Sequence, residues 1–271
     1  MNTSKKSITD IEGVFASGIH CGVKSDKKDL AYIYVPDAVS CAGVFTQNKV
    51  VAPSVVHDRK ALKSGVIKAA IINSGNANTG LGKSGADNTK KMAQQTADLL
   101  GLKTMQVAVS STGIIGVPLP FEAIESGITS ILADPKQKDG QGAAEAILTT
   151  DLCTKQVYKE AKIGKKIIQI AGMTKGSGMI APNMATTLGY LATNANIPQQ
   201  QLQDALNAAI DMSYNMSSVD TDTSTSDTVL CWATGQHNVN VRNKTEWEAF
   251  QTLLNEVCIE MAKLVVRDGE G

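Results

Sequence analysis

The sequence predicts an α/β fold of layered mixed sheets flanked by helices. Short apolar or β-branched runs recur along the chain, and stretches with a single apolar helical face lie between them. The two kinds of element follow no regular strand–helix–strand repeat, which argues against a doubly wound sheet. With 271 residues, 42% of them hydrophobic, the chain can fill the core of one large domain or two small ones.

Residues 11–73 read as short strands and turns, with Leu30 to Val35, Gly43 to Phe45 and Val66 to Ile72 as runs bounded by turn formers. Ala42 to Asn48 and Asn73 to Asn78 read as loops rich in residues that tolerate left-handed backbone. Asp87 to Leu100 reads as a helix with Met92, Thr96, Leu99 and Leu100 on one face and Gly101 just past its end. Thr104 to Ser110 alternates as a strand, and Ser111 to Pro118 reads as a strand-to-helix turn. Pro120 then opens a helix whose apolar face holds Phe121, Ile124, Ile128, Ile131 and Leu132.

A short helix, Gly142 to Leu148, precedes Thr149-Thr150-Asp151, and Lys166 to Ile170 forms a strand. Leu188 to Ala192 reads as a buried strand. Pro198 starts a helix with Leu202, Ala205, Leu206, Ala209 and Ile210 on one face, and Thr228 to Ala233 is the next strand. Thr245-Glu246-Trp247-Glu248 has the form of a capping box opening the last helix, which runs through Phe250, Leu254, Val257, Met261 and Leu264.

Composition excludes several functions. Lys plus Arg and Asp plus Glu both number 26, which gives no electrostatic case for nucleic acid or an anionic membrane. No apolar run is long enough to span a bilayer, and the first residues lack a signal-peptide pattern. Cys21, Cys41, Cys153, Cys231 and Cys258 are odd in number and widely spaced, and His20, His57 and His237 form no ligand pair. The expectation is a cytosolic chain with neither disulfides nor metal, and with no cofactor.

One stretch stands out for chemistry: Thr174-Lys175-Gly176-Ser177-Gly178-Met179-Ile180-Ala181-Pro182-Asn183-Met184-Ala185-Thr186-Thr187. Its glycines allow close approach of the backbone, Pro182 stiffens it, and small Ala185 precedes Thr186 at the head of a strand. A Thr186 hydroxyl that attacked the Ala185 carbonyl would turn the peptide into an ester, and hydrolysis would leave Thr186 as a new N-terminus. The freed α-amine, with a reference pKa of about 7.7–8.0, can then act as general base for the hydroxyl. An ordinary strand-opening Ala-Thr pair is the plainer alternative.

Ala77-Asn78-Thr79-Gly80-Leu81-Gly82-Lys83-Ser84 fits a loose phosphate-loop pattern, in which amides and Lys83 would cradle a nucleotide. Against it, the preceding strand ends near Asn73 on this reading, and no apolar run ending in aspartate follows to hold magnesium. The glycines also suit a plain turn before a helix. Asp220 to Asp227 carries several aspartates but lacks the EF-hand spacing, and reads as a polar turn.

Lys175 to Thr186 resembles the signature of the glutamate N-acetyltransferase/ornithine acetyltransferase family of arginine biosynthesis. Ala42 to Asn48, Asn73 to Asn78 and Asp220 to Thr225 are similar to it as well, with Thr221 standing where the family has glycine. The resemblance implies an N-terminal-nucleophile-like acetyltransferase fold. It also implies self-cleavage between Ala185 and Thr186 into residues 1–185 (α chain) and 186–271 (the first part of a β chain). It makes Thr186 the nucleophile, Thr112 and Gly113 the oxyanion hole, and Thr149, Lys175, Thr186 and Glu270 the substrate contacts, with Thr150 as the alternative to Thr149.

N-acetylornithine and glutamate are then the substrates, with acetyl-CoA as a further possible donor, and the cleaved pieces would assemble as two α and two β chains. The family's chain continues beyond the Asp268-Gly269-Glu270-Gly271 ending, so this one reads as truncated. Two other readings stand beside it: an uncleaved, inactive homologue, and a nucleotide-binding protein using Ala77 to Ser84.

Overall fold

The computed structural model describes residues 6–163, 166–181, 187–236, 239–241 and 243–270. Two mixed sheets lie face to face between two helical layers. The first contains β1 (Phe15–Ile19), β2 (Leu30–Tyr34), β4 (Ala69–Asn76) and β5 (Val107–Ile114), in the order β1-β2-β4-β5. The second contains β3 (Ser40–Phe45), β6 (Lys155–Ile163), β7 (Lys166–Lys175), β8 (Leu188–Thr193) and β10 (Thr228–Ala233), in the order β3-β10-β8-β7-β6. In each sheet one parallel pair, β4 with β5 and β8 with β10, sits among antiparallel neighbours. Short strands β9 (Ala195–Asn196) and β11 (Val239–Asn240) pair separately.

Period-2 alternation builds the layers. Ala31, Ile33, Ala70 and Ile72 face the second sheet, meeting Met173, Tyr190, Leu230 and Trp232 in the central core. Leu30, Tyr32, Ala69 and Ile71 point the other way, onto α2 (Lys83–Leu100) and α3 (Phe121–Ile131). On the far side, Leu191, Val229 and Cys231 pack against α5 (Gln199–Asp211) and α6 (Lys244–Arg267). Two further helices, α1 (Pro53–Ser64) and α4 (Gly140–Ala146), close the edges.

In the central core Trp232 stacks on Tyr190 at 6.4 Å and donates its indole N–H to the Ile67 carbonyl at 3.0 Å. Trp232→Phe removes that donor and strands a buried carbonyl. A loss of about 1–3 kcal/mol in urea unfolding is the expected result; an unchanged midpoint would mean that the bond carries no stability.

The expected layered α/β architecture is the one found, but several elements differ. Helix α1 falls within a region read as strands and turns; its Val55 and Val56 look strand-like, yet Pro53 at the first helical turn sets the geometry. Strand β4 continues through Asn73 to Asn76, and β5 through Ser111 to Ile114, where loop and turn were expected. Their polar side chains end the apolar pattern before the ladder itself ends. Helix α2 starts four residues ahead of Asp87. The last helix is capped by Asn243, whose side chain accepts the Glu246 N–H, and not by Thr245.

Candidate active site

Several chain segments converge on an open cavity of about 500 Å³. The parallel strands β4 and β5 bring their C-terminal ends there, with Thr112 opposite Ser74 and Gly113 opposite Gly75. Gly113 has φ +127°, and a β carbon on it would lie 2.3 Å from the Gly75 carbonyl carbon and 2.6 Å from the Asn76 nitrogen. Only glycine allows both that backbone angle and that approach. The other segments supply Thr149, Lys175 and Glu270. Thr112, Gly113, Thr149, Lys175 and Glu270, far apart in the sequence, thus line one cavity. Thr150 joins them, its hydroxyl 2.7 Å from that of Ser177.

Lys175 is not the solvated turn residue that its local sequence suggests without the resemblance. It ends β7, is 3% exposed, and donates from Nζ to Thr112 Oγ1 at 3.4 Å. Because the ammonium takes an acceptor position on that oxygen, the Thr112 hydroxyl proton stays available for a group in the cavity. Burial lowers the pKa of Lys175, against the opposing pull of the Asp151, Asp227 and Glu270 carboxylates.

Asp151 lies beneath this wall. Burial alone would raise its pKa, but the Lys175 and Lys155 ammonium groups outweigh it and hold the carboxyl at about 2. An unfolded aspartate titrates near 3.9, so this contribution to stability is complete above about pH 4 and is lost as the pH falls through about 2. Asp151→Asn should therefore be less stable than the parent at neutral pH, and the gap should narrow between pH 4 and 2 in urea unfolding. A gap independent of pH would contradict the assignment.

Ala185 and Thr186 lie outside the described residues. Their neighbour Thr187 is held firmly: its N–H donates to Asp227 Oδ1 at 2.9 Å, and its hydroxyl donates to the Lys175 carbonyl at 3.3 Å. Asp227 is 1% exposed, and burial keeps its carboxyl pKa well above the usual range.

The aspartate-rich turn clamps the glycine loop, with Asp220 accepting the Met179 and Ile180 N–H groups at 2.6 and 2.9 Å. Thr221, with φ +67°, holds the left-handed geometry expected of a glycine at that position. Among the described residues no group of three His, Cys, Asp or Glu side chains could hold a metal ion. None of the described helices is long and apolar enough to cross a membrane.

In the Ala77 to Ser84 loop one objection falls, since β4 does run directly into it. Its first two amides are nevertheless committed: Ala77 N–H goes to the Ile114 carbonyl at 2.9 Å and Asn78 N–H to Asn76 Oδ1 at 2.8 Å. Lys83 is exposed on the first turn of α2. The loop secures the end of β5, and with it Gly113.

Sequence reading passed over Asp151, Lys155, Asp227 and Asp268. Asp151 directly follows the threonine pair, which was the one local signal available. Lys155 opens an alternating strand and carries no such mark.

Two sheets packed face to face between helices form a variant of the N-terminal-nucleophile hydrolase fold. The L-aminopeptidase D-Ala-esterase/amidase of Ochrobactrum anthropi, solved as such a variant, matches all of this chain and 88% of its own, with a TM-score of 0.51 at 12% identity. More narrowly, the chain belongs to the ArgJ family, whose model matches residues 15–271. The arginine biosynthesis bifunctional protein ArgJ of Oceanobacillus iheyensis is 42% identical over 97% of this chain and 65% of its own length. The chain therefore spans about two thirds of that relative. The ornithine acetyltransferase of Mycobacterium tuberculosis, solved with ornithine, is 31% identical with a TM-score of 0.58; the match covers 66% of this chain and 95% of that one.

Proposed function

We propose that this chain is the acyl-transfer core of a glutamate N-acetyltransferase that moves acetyl from N-acetylornithine to glutamate. The observation that carries the reading is the single cavity lined by Thr112, Gly113, Thr149, Lys175 and Glu270, beside the start of the strand that follows Thr186. Membership of the ArgJ family supports it.

The chain first cuts itself between Ala185 and Thr186. Residues 1–185, the first piece, make up about two thirds of the chain. The Thr186 hydroxyl then attacks the acetyl carbonyl, and its α-amine takes the proton. The Thr112 hydroxyl and the Gly113 N–H stabilise the oxyanion, and the Lys175 ammonium beneath strengthens the Thr112 donor. Ornithine leaves, and the amine of glutamate takes the acetyl group from the threonine ester, with Lys175 and Glu270 holding charged ends of the substrates. Acetyl-CoA is a second donor to test, and assembly as two α and two β chains follows the same reading.

Intact mass under denaturing conditions tests the first step. Two species summing to the full chain plus one water, the smaller beginning at Thr186, are expected, followed by ping-pong transfer from N-acetylornithine to glutamate. A single full-length mass without transfer would favour the uncleaved, inactive alternative.

A further inference from the structure

A fully buried ion cluster lies directly behind the cavity and takes no part in the chemistry above. Lys155, at the start of β6 and 0% exposed, donates from Nζ to Asp151 Oδ1 at 2.7 Å and to Asp268 Oδ2 at 2.5 Å. Each carboxylate holds a piece of the cavity wall. Asp151 accepts the Gly176 N–H at 2.7 Å through Oδ1 and the Thr149 N–H at 3.0 Å through Oδ2. Asp268 accepts the Leu152 N–H at 3.0 Å. Two residues on, the Glu270 N–H donates to the Ser177 carbonyl at 2.9 Å.

Three segments distant in sequence, 149–152, 175–178 and 268–270, therefore meet at one ammonium group. Buried ion pairs are poor sources of stability, because desolvation offsets their attraction and an apolar cluster often packs as well. Their best-supported use is to fix one geometry among several. Here the bonds end on the backbones of Thr149, Gly176 and Leu152, beside the side chains proposed to bind substrate.

We infer that Lys155 is a positioning residue: through Asp151 and Asp268 it locks three walls of the cavity into one arrangement and so sets substrate affinity. The affinity part rests on the function proposed above; the mechanical part does not. Loosening this lock acts mainly on groups that bind substrate and leaves the nucleophile in place, while Lys175 also supports the Thr112 donor, so KM should rise by a larger factor than kcat falls.

The test uses the full chain carrying Asp268→Asn, which keeps shape and acceptor but removes a charge, and Lys155→Met. Hydrogen–deuterium exchange is read across all peptides, and ornithine binding by calorimetry. In either variant, amides of 149–152, 175–178 and 268–270 should exchange faster together while β8 and β10 keep their protection. Ornithine should bind at least several-fold more weakly, and KM should rise by a larger factor than kcat falls. Faster exchange confined to the segment around the substitution, or unchanged exchange at all three, overturns the inference. If the parent chain binds no ornithine yet the three segments loosen together, the lock stands and the substrate reading falls. Should Lys155→Met fail to fold, the Asp268→Asn result decides alone.

Discussion

Thr186→Ala is expected to give one full-length chain and no measurable acetyl transfer. On the proposed mechanism both outcomes have a single cause, because the same hydroxyl would attack first the Ala185 carbonyl and later the acetyl group. Losing a catalytic nucleophile costs on the order of 10⁶-fold in enzymes of comparable logic, which puts the variant at background. Thr186→Ser keeps the hydroxyl and, after the cut, the α-amine, so it should still separate into two species and turn over. Intact mass and a coupled transfer assay read both variants. A Thr186→Ala chain that transfers at the parental rate would remove Thr186 from the mechanism.

The second large effect falls on the proposed oxyanion hole. Gly113→Ala must place a β carbon 2.3 Å from the Gly75 carbonyl carbon at φ +127°, so β4 and β5 have to part at the mouth of the cavity. A transfer rate lower by on the order of 10²–10³ is expected from the displaced donor, with about 1–3 kcal/mol of lost stability from the strain. Gly113→Pro removes the N–H itself and should be at least as severe. Thr112→Val separates the two contributions, since it removes only the hydroxyl. A similar loss of rate is expected without the backbone strain, and with only the modest drop in melting temperature that follows when the buried Lys175 ammonium loses an acceptor; full activity in Thr112→Val would rule out its role as a donor.

The sequence showed the fold well where burial imposes a period. Leu30 to Val35 is apolar throughout because both sides of its sheet face a core, and the α5 face is apolar because one side packs against β3 and the other meets solvent. It showed the fold poorly at the ends of β4 and β5. There Asn73, Ser74, Ser111 and Thr112 occupy ladder positions with polar side chains, because the strands end at a cavity and not in a core. A period-2 reading stops where hydrophobicity stops, one turn short of the site.

Apart from the Ala185-Thr186 pair, whose chemistry the local sequence suggests, the site residues were legible only through a family signature. Nothing in the local sequence marks Lys175 as buried, since its shielding comes from Thr112, Asp151 and Thr187 on other segments. The Lys155 cluster was invisible for the same reason: Asp268 lies 113 residues away along the chain.

Strand β8 lies between β7 and β10, paired with both along its whole length. A cut before Thr186 would thus place two neighbouring strands of one sheet on different polypeptides. Folding would have been a one-chain process, but recovery after denaturation would require two chains to find each other. The matured protein would therefore melt irreversibly or in a concentration-dependent way, whereas uncut Thr186→Ala would refold as a single molecule at any dilution. Maturation would then convert a reversible folding equilibrium into a one-way barrier, and the active form would persist through its rate of unfolding.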